Sequence, residues 1–170
     1  RPVIAHTQLV HPTDRGRFAA LGVVANFEPL WACLDDSQLD LTIPRLGPER
    51  SALQYPIASL AASGARVSFG SDWPVSSHRP LDGLAVAVTR RNRRGEPLNG
   101  WLPEERMSIL QAIHAYTVGS AYQAFDDEAG ALSVGARADL VVLDRDITAI
   151  AGDEVPDALV DETWVAGEAV

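Results

Sequence analysis

The chain has 170 residues, 46% of them hydrophobic and 22% charged, and a formal net charge of −9. That length and apolar content fit one globular unit with a sizeable core and exclude a disordered chain. The acidic balance argues against a nucleic-acid partner, and no apolar run approaches the roughly 20 residues needed to span a bilayer.

In chain order, Pro2-Val3-Ile4-Ala5 is a β-prone run, too short for a signal peptide, that leads directly to His6. A helix is expected next, capped by Thr13, with Asp14 at its positive end, Phe18 and Leu21 on one face, and Gly22 as its stop. Val23-Val24-Ala25-Asn26-Phe27 reads as a second strand, followed by an irregular stretch from about Leu30 to Pro48. Pro56 opens a helix that buries Ile57, Leu60 and Ala61 and ends at Gly64. Arg66-Val67-Ser68-Phe69-Gly70 is the third strand, and it delivers Ser71-Asp72-Trp73-Pro74 at its end. Strands alternating with helices pair in parallel, because each helix carries the chain back across the sheet. From His6 to Asp72 is 66 positions, two βα units of the length expected when about 250 residues make eight.

Helices are expected over Leu81–Arg90 and Pro103–Phe125, the second opened by Pro103, Glu104 and Glu105, with Ile109, Ile113 and Tyr116 on one face. The last forty residues change character. Gly130–Gly135 reads as a short strand bounded by turns, Ala138–Asp144 as an apolar strand, and Thr163-Trp164-Val165 with Val170 as a hairpin around Ala166-Gly167. The division is therefore residues 1–128 as an α/β part and residues 129–170 as a small β appendage.

Phe69-Gly70-Ser71-Asp72-Trp73-Pro74 carries the chemistry. A carboxylate at the C-terminal end of a buried parallel strand lies where β/α barrels place their reacting groups. There it can ligate a metal and accept a proton from water that the metal activates. His6 ends an earlier strand in the equivalent place.

His6-Thr7-Gln8-Leu9-Val10-His11-Pro12, then Phe69–Pro74, then Gly130–Asp144 with its Gly-Ala-Arg-Ala-Asp-Leu-Val-Val core resemble, in order, the amidohydrolase superfamily, most closely the branch containing the N-substituted formamide deformylases. The resemblance implies the C-terminal part of a TIM-like (β/α)8 metal-dependent hydrolase barrel, about three βα units spanning strands six to eight, plus part of a small β-sandwich domain. It implies that His6 is the metal-ligand histidine of the sixth strand and that Asp72 of the eighth is both ligand and general acid/base. The cofactor implied is one or two divalent ions, zinc by expectation. The reaction implied is hydrolysis of a non-peptide C–N bond, amide or formamide, by metal-activated water. The family's His-x-His pair is absent, the chain has no lysine to carboxylate, and Ala5 stands where most members have an acid before the histidine. The remaining ligands are expected from an N-terminal segment of the same enzyme, and this chain alone is expected to be inactive and oligomeric, in the cytoplasm, where its single cysteine, Cys33, stays reduced. The alternative is a non-catalytic fragment or scaffold that works only with a partner segment.

Four further residues are candidates for contact with a small amide substrate: His11, Trp73, His78 and Arg90. Each has a plainer reading: His11 as a cap at a helix entrance, His78 as a solvated loop residue, Trp73, like Trp31, as packing, and Arg90 as a loop anchor. His114, inside a helix, reads as structural. The run Arg90-Arg91-Asn92-Arg93-Arg94 reads as a solvated helix end rather than a nucleic-acid patch.

Overall fold

The computed structural model describes residues 1–170. Three short strands, β1 (Val3–Ile4), β2 (Val24–Phe27) and β3 (Arg66–Phe69), form a parallel sheet in the order β1-β2-β3. Val3 lies opposite Val24, and Val24 through Phe27 lie opposite Arg66 through Phe69. All four residues of β2 are buried, as expected for a strand covered on both faces. The shared register brings the ends of all three strands to one edge of the sheet.

The connecting helices are α1 (Arg15–Leu21) after β1 and α3 (Ile57–Ala62) before β3, with α4 (Pro80–Thr89) after β3. One cluster of 22 buried residues unites them, from Phe18 and Phe27 through Ile57, Leu60 and Leu84 to Ala112. The cluster also includes Ile147, Val155 and Ala158 from the C-terminal region. That return is fixed by Arg79, which donates to the Pro156 carbonyl at 2.9 Å.

Several sequence expectations change. Thr13 is not a cap. A tight turn over Pro12–Asp14 precedes α1, and His11 Nδ1 accepts from the Thr13 backbone N–H at 3.4 Å. On α1, Phe18 is buried at 6% exposure, but Leu21 is 62% exposed. The stretch from Leu30 to Pro48 is largely ordered into a wide turn over Gln38–Thr42 and helix α2 (Ile43–Ser51). Pro44 and Pro48 resemble breakers in the sequence, yet Pro44 occupies the first turn of α2, where no N–H is needed. Gly47, at φ 74° and ψ 170°, takes the kink before Pro48.

The helix expected from Pro103 starts later. Pro103–Glu105 is one tight turn, because Glu105 is buried and accepts from both the backbone N–H, at 2.8 Å, and the hydroxyl of Ser59. Ser108 then caps α5 (Ile109–His114) in a reciprocal box with Gln111. A wide turn over Ala115–Gly119 leads to α6 (Ser120–Gln123). This segment presses on β3. A Cβ on Gly119 would collide with the Val67 carbonyl oxygen, and Ser120 donates to the Phe69 carbonyl at 2.7 Å.

Gly130–Gly135 is a loop, not a strand, for it finds no neighbour to pair with. β4 (Leu140–Leu143), β5 (Val160–Val165) and β6 (Glu168–Ala169) form a separate antiparallel sheet, and β5 and β6 are the hairpin around Ala166-Gly167. No helix is long and apolar enough to cross a membrane.

Candidate active site

His6 lies two residues beyond β1, with a left-handed backbone at φ 66°. Thr7 follows at φ 27° and returns its hydroxyl to the Ile4 carbonyl at 2.7 Å. Non-glycine residues hold such conformations only where their surroundings fix them. The ring of His6 is fixed on two sides. Its Nδ1 lies 2.9 Å from Glu28 Oε2, and its face stacks on Trp31 with centroids 5.3 Å apart and planes 20° from parallel. Glu28 follows β2 directly and its side chain is 4% exposed, whereas that of His6 is 50% exposed. The inner nitrogen is therefore engaged by a buried carboxylate, and Nε2 makes no hydrogen bond within the chain.

Asp72 lies three residues beyond β3, also left-handed, at φ 51°. Its backbone carbonyl accepts from Val75 at 2.8 Å, which closes a turn, while its carboxylate is exposed and bonds to no other side chain. His6, Glu28 and Asp72 thus sit at the same edge of the sheet, one per strand. Nowhere in the chain do three His, Cys, Asp or Glu side chains converge as a metal-holding group.

The donor chemistry of His6 nevertheless fits a divalent cation. A ligating imidazole characteristically gives its other nitrogen to a carboxylate that fixes tautomer and orientation. Glu28 provides this from the adjacent strand, although the residue before His6 is Ala5. Sequence reading passed over Glu28. The available signal was an acid immediately after the buried strand Val24–Phe27, just as His6 and Asp72 follow theirs.

The other four candidates are scattered. His11 is exposed, caps its own turn through Thr13, and borders a groove with Ile4, Phe18 and Leu21. Trp73 is 68% exposed beside Asp72, and His78 is exposed further along the same loop. Arg90 is corrected from substrate contact to internal anchor. It is wholly buried at the end of α4, where Nε donates to the Trp101 carbonyl at 3.0 Å and a terminal nitrogen donates to the Tyr55 carbonyl at 3.3 Å. Its guanidinium lies 5.4 Å from the Trp101 ring centroid. Burial lowers Arg90 to about 10, opposed mainly by the Glu105 carboxylate, so it stays charged at neutral pH. His114 is exposed, not packed.

The profile of the amidohydrolase family matches residues 1–170. Over 142 residues, 82% of this chain, it is 37% identical to Protein LONG AFTER FAR-RED 3 of Arabidopsis thaliana, of which it covers 24%. Over 114 residues, 66% of this chain, it is 34% identical to N-substituted formamide deformylase of Arthrobacter pascens, of which it covers 20%. An uncharacterised metal-dependent hydrolase from Pyrococcus horikoshii OT3 superposes on 88% of the chain with a TM-score of 0.75 at 27% identity, and the chain covers 30% of it. The chain therefore spans a quarter or less of the length of these two curated relatives.

Proposed function

This chain belongs to the amidohydrolase family, and from that we propose that it supplies part of the active site of a metal-dependent hydrolase cleaving a non-peptide C–N bond of the amide or formamide type. The observation that carries this reading is the His6 ring, fixed on its inner nitrogen by buried Glu28 and free at Nε2, on the sheet edge that also carries Asp72. The formamide deformylase relative supports the substrate class, and the metal-dependent hydrolase supports the cofactor.

In this reading residues 1–128 are the C-terminal part of a β/α barrel, with β1 to β3 as its sixth to eighth strands. Residues 129–170 contribute to a small β domain. His6 and Asp72 hold the cation, zinc in our reading, and a further segment supplies the remaining ligands, because a catalytic zinc takes about three protein ligands. When bound, the cation supplies Lewis-acid polarisation of the substrate carbonyl. Asp72 accepts a proton from the attacking water as its oxygen bonds to the carbonyl carbon. It then passes that proton to the nitrogen as the C–N bond breaks, releasing an acid and an amine. The exposed carboxylate, free of internal hydrogen bonds, suits that exchange. Glu28 holds His6 in orientation and takes no part in the proton transfer. The complete protein is cytoplasmic and oligomeric in this reading.

A second reading is favoured by the lack of any three-donor group in the chain: a scaffold that does no chemistry and serves only with a partner segment. Metal analysis and hydrolysis of N-benzylformamide separate the two. The protein carrying this chain should bind metal and release benzylamine, His6→Ala should lose both, and His114→Gln should lose neither. Full metal content and turnover in His6→Ala would overturn the catalytic reading.

A further inference from the structure

A cavity of about 610 Å3 opens beside the proposed reacting centre. Trp31, whose ring stacks on His6, forms one wall, and Val75, three residues beyond Asp72, forms another. The rest of the lining is chiefly polar, and Asp35 and Asp36 are balanced in it by Arg93 and Arg94.

Tyr55 belongs to this lining, and the fold fixes it closely. Its backbone is left-handed, at φ 47°. Its N–H donates to the carbonyl of Gln8, two residues beyond His6, at 2.7 Å, and its own carbonyl accepts from buried Arg90 at 3.3 Å. The Trp101 ring packs against it edge to face, with centroids 6.3 Å apart. A bulky residue keeps such a backbone only where its surroundings impose it, and such residues cluster at ligand sites.

Tyr55 is 2% exposed, and its hydroxyl bonds to no group of the chain. That oxygen is not sealed off, and the small surface it keeps opens on the cavity. Polar groups drawn so far from water nearly always have a partner. Burial holds the phenol above the ordinary tyrosine range, with Asp35 adding to the shift and Arg90 opposing it. The hydroxyl therefore keeps its proton and is a donor. An anion placed on it meets repulsion from Asp35, while Arg90 is spent on the Tyr55 and Trp101 carbonyls. A cation has no lone pair to offer. A neutral carbonyl satisfies both conditions.

We infer that this cavity receives the arm of the substrate remote from the scissile bond, and that the Tyr55 hydroxyl donates to a neutral carbonyl on that arm. The inference rests on the reading of His6 and Asp72 as the reacting centre. It makes Tyr55 a specificity-determining residue that touches no reacting atom. A site built to hydrogen-bond a substrate group discriminates against the analogue that lacks it.

The test titrates two probes, pentanamide and pentanoate, against the protein by NMR, with the indole resonance of Trp31 as reporter. Tyr55→Phe keeps the ring and should weaken pentanamide about fivefold, the factor for one neutral hydrogen bond. Pentanoate should bind the native protein less tightly than pentanamide. Asp35→Asn, which keeps an acceptor for the Gln38 backbone N–H, should narrow that gap. Equal affinity for pentanamide in Tyr55→Phe, no binding by the native protein, or tighter binding of pentanoate would overturn the inference. Should Tyr55→Phe fail to fold, a gap that Asp35→Asn leaves unchanged would overturn it as well. The titration does not depend on turnover. Carbonyl-selective binding through Tyr55 without hydrolysis of any formamide would sink the reaction assignment and leave the pocket standing. In an active enzyme, kcat/KM for N-(3-carbamoylpropyl)formamide relative to N-benzylformamide should fall about fivefold in Tyr55→Phe.

Discussion

His6 Nδ1 and Glu28 Oε2 lie 2.9 Å apart across two neighbouring strands, with the carboxylate buried and the imidazole half in solvent. The pair leaves a single nitrogen of the ring facing outward. Replacing Glu28 by Gln keeps the shape and removes the charge. Metal affinity of the complete protein should fall 10- to 100-fold, the range for lost carboxylate partners of ligating histidines. Competition against a chelator measures it, and an affinity equal to that of the native protein would show that the pair does not serve a metal.

Asp72 has a left-handed backbone and a carboxylate without internal partners. Asn tolerates that conformation better than most residues, so Asp72→Asn should leave stability within about 0.5 kcal/mol, as for other surface substitutions. Hydrolysis should drop by at least about 10²–10⁴-fold from loss of the proton-transfer group. Thermal melts and kcat for the same preparation report the two effects separately, and near-normal turnover would remove Asp72 from the reaction.

Arg90 gives a contrasting signature. It links the end of α4 to the Tyr55 and Trp101 carbonyls from a fully buried position. Arg90→Ala should destabilise by about 3 kcal/mol, since it strips donors from two carbonyls and opens a void. Urea denaturation tests this. A variant that is fully stable but has a raised KM would restore the substrate-contact reading.

Burial raises the Cys33 thiol to about 11, with the nearby Asp35 adding to the shift. An acid whose folded pKa is raised stabilises the fold while protonated. That contribution is complete below the unfolded value near 9 and is lost as pH rises towards 11. The urea midpoint should therefore fall between about pH 9 and about pH 11, and fall less in Cys33→Ala. The native thiol should also resist a thiol reagent near pH 8, because it is both buried and protonated. An identical decline in the variant would assign the pH dependence elsewhere.

The outer edge of β1 has no neighbouring strand, and Val3 and Ile4 beside it are exposed. The second sheet exposes Val141, Val142, Val160 and Val165. Open edges and apolar faces of this kind recruit other chains. Residues 1–170 prepared alone should self-associate, and light scattering that reports a monomer at high concentration would refute this.

The sequence by itself determined the parallel sheet and the strand ends that carry His6 and Asp72. Short apolar runs separated by helix-forming stretches can bury themselves only as βα units, and that information is local. It also determined the terminal hairpin through Ala166-Gly167. Tertiary structure alone decided the rest. Glu28 is 22 positions from the histidine it holds. Glu105 leaves its expected helix for Ser59, 46 positions away. Arg90 turns from a solvated run into the core to meet Tyr55, 35 positions away. In each case a polar group out of water takes the partner that folding brings to it, and its desolvation cost outweighs the weak local propensity that a sequence displays.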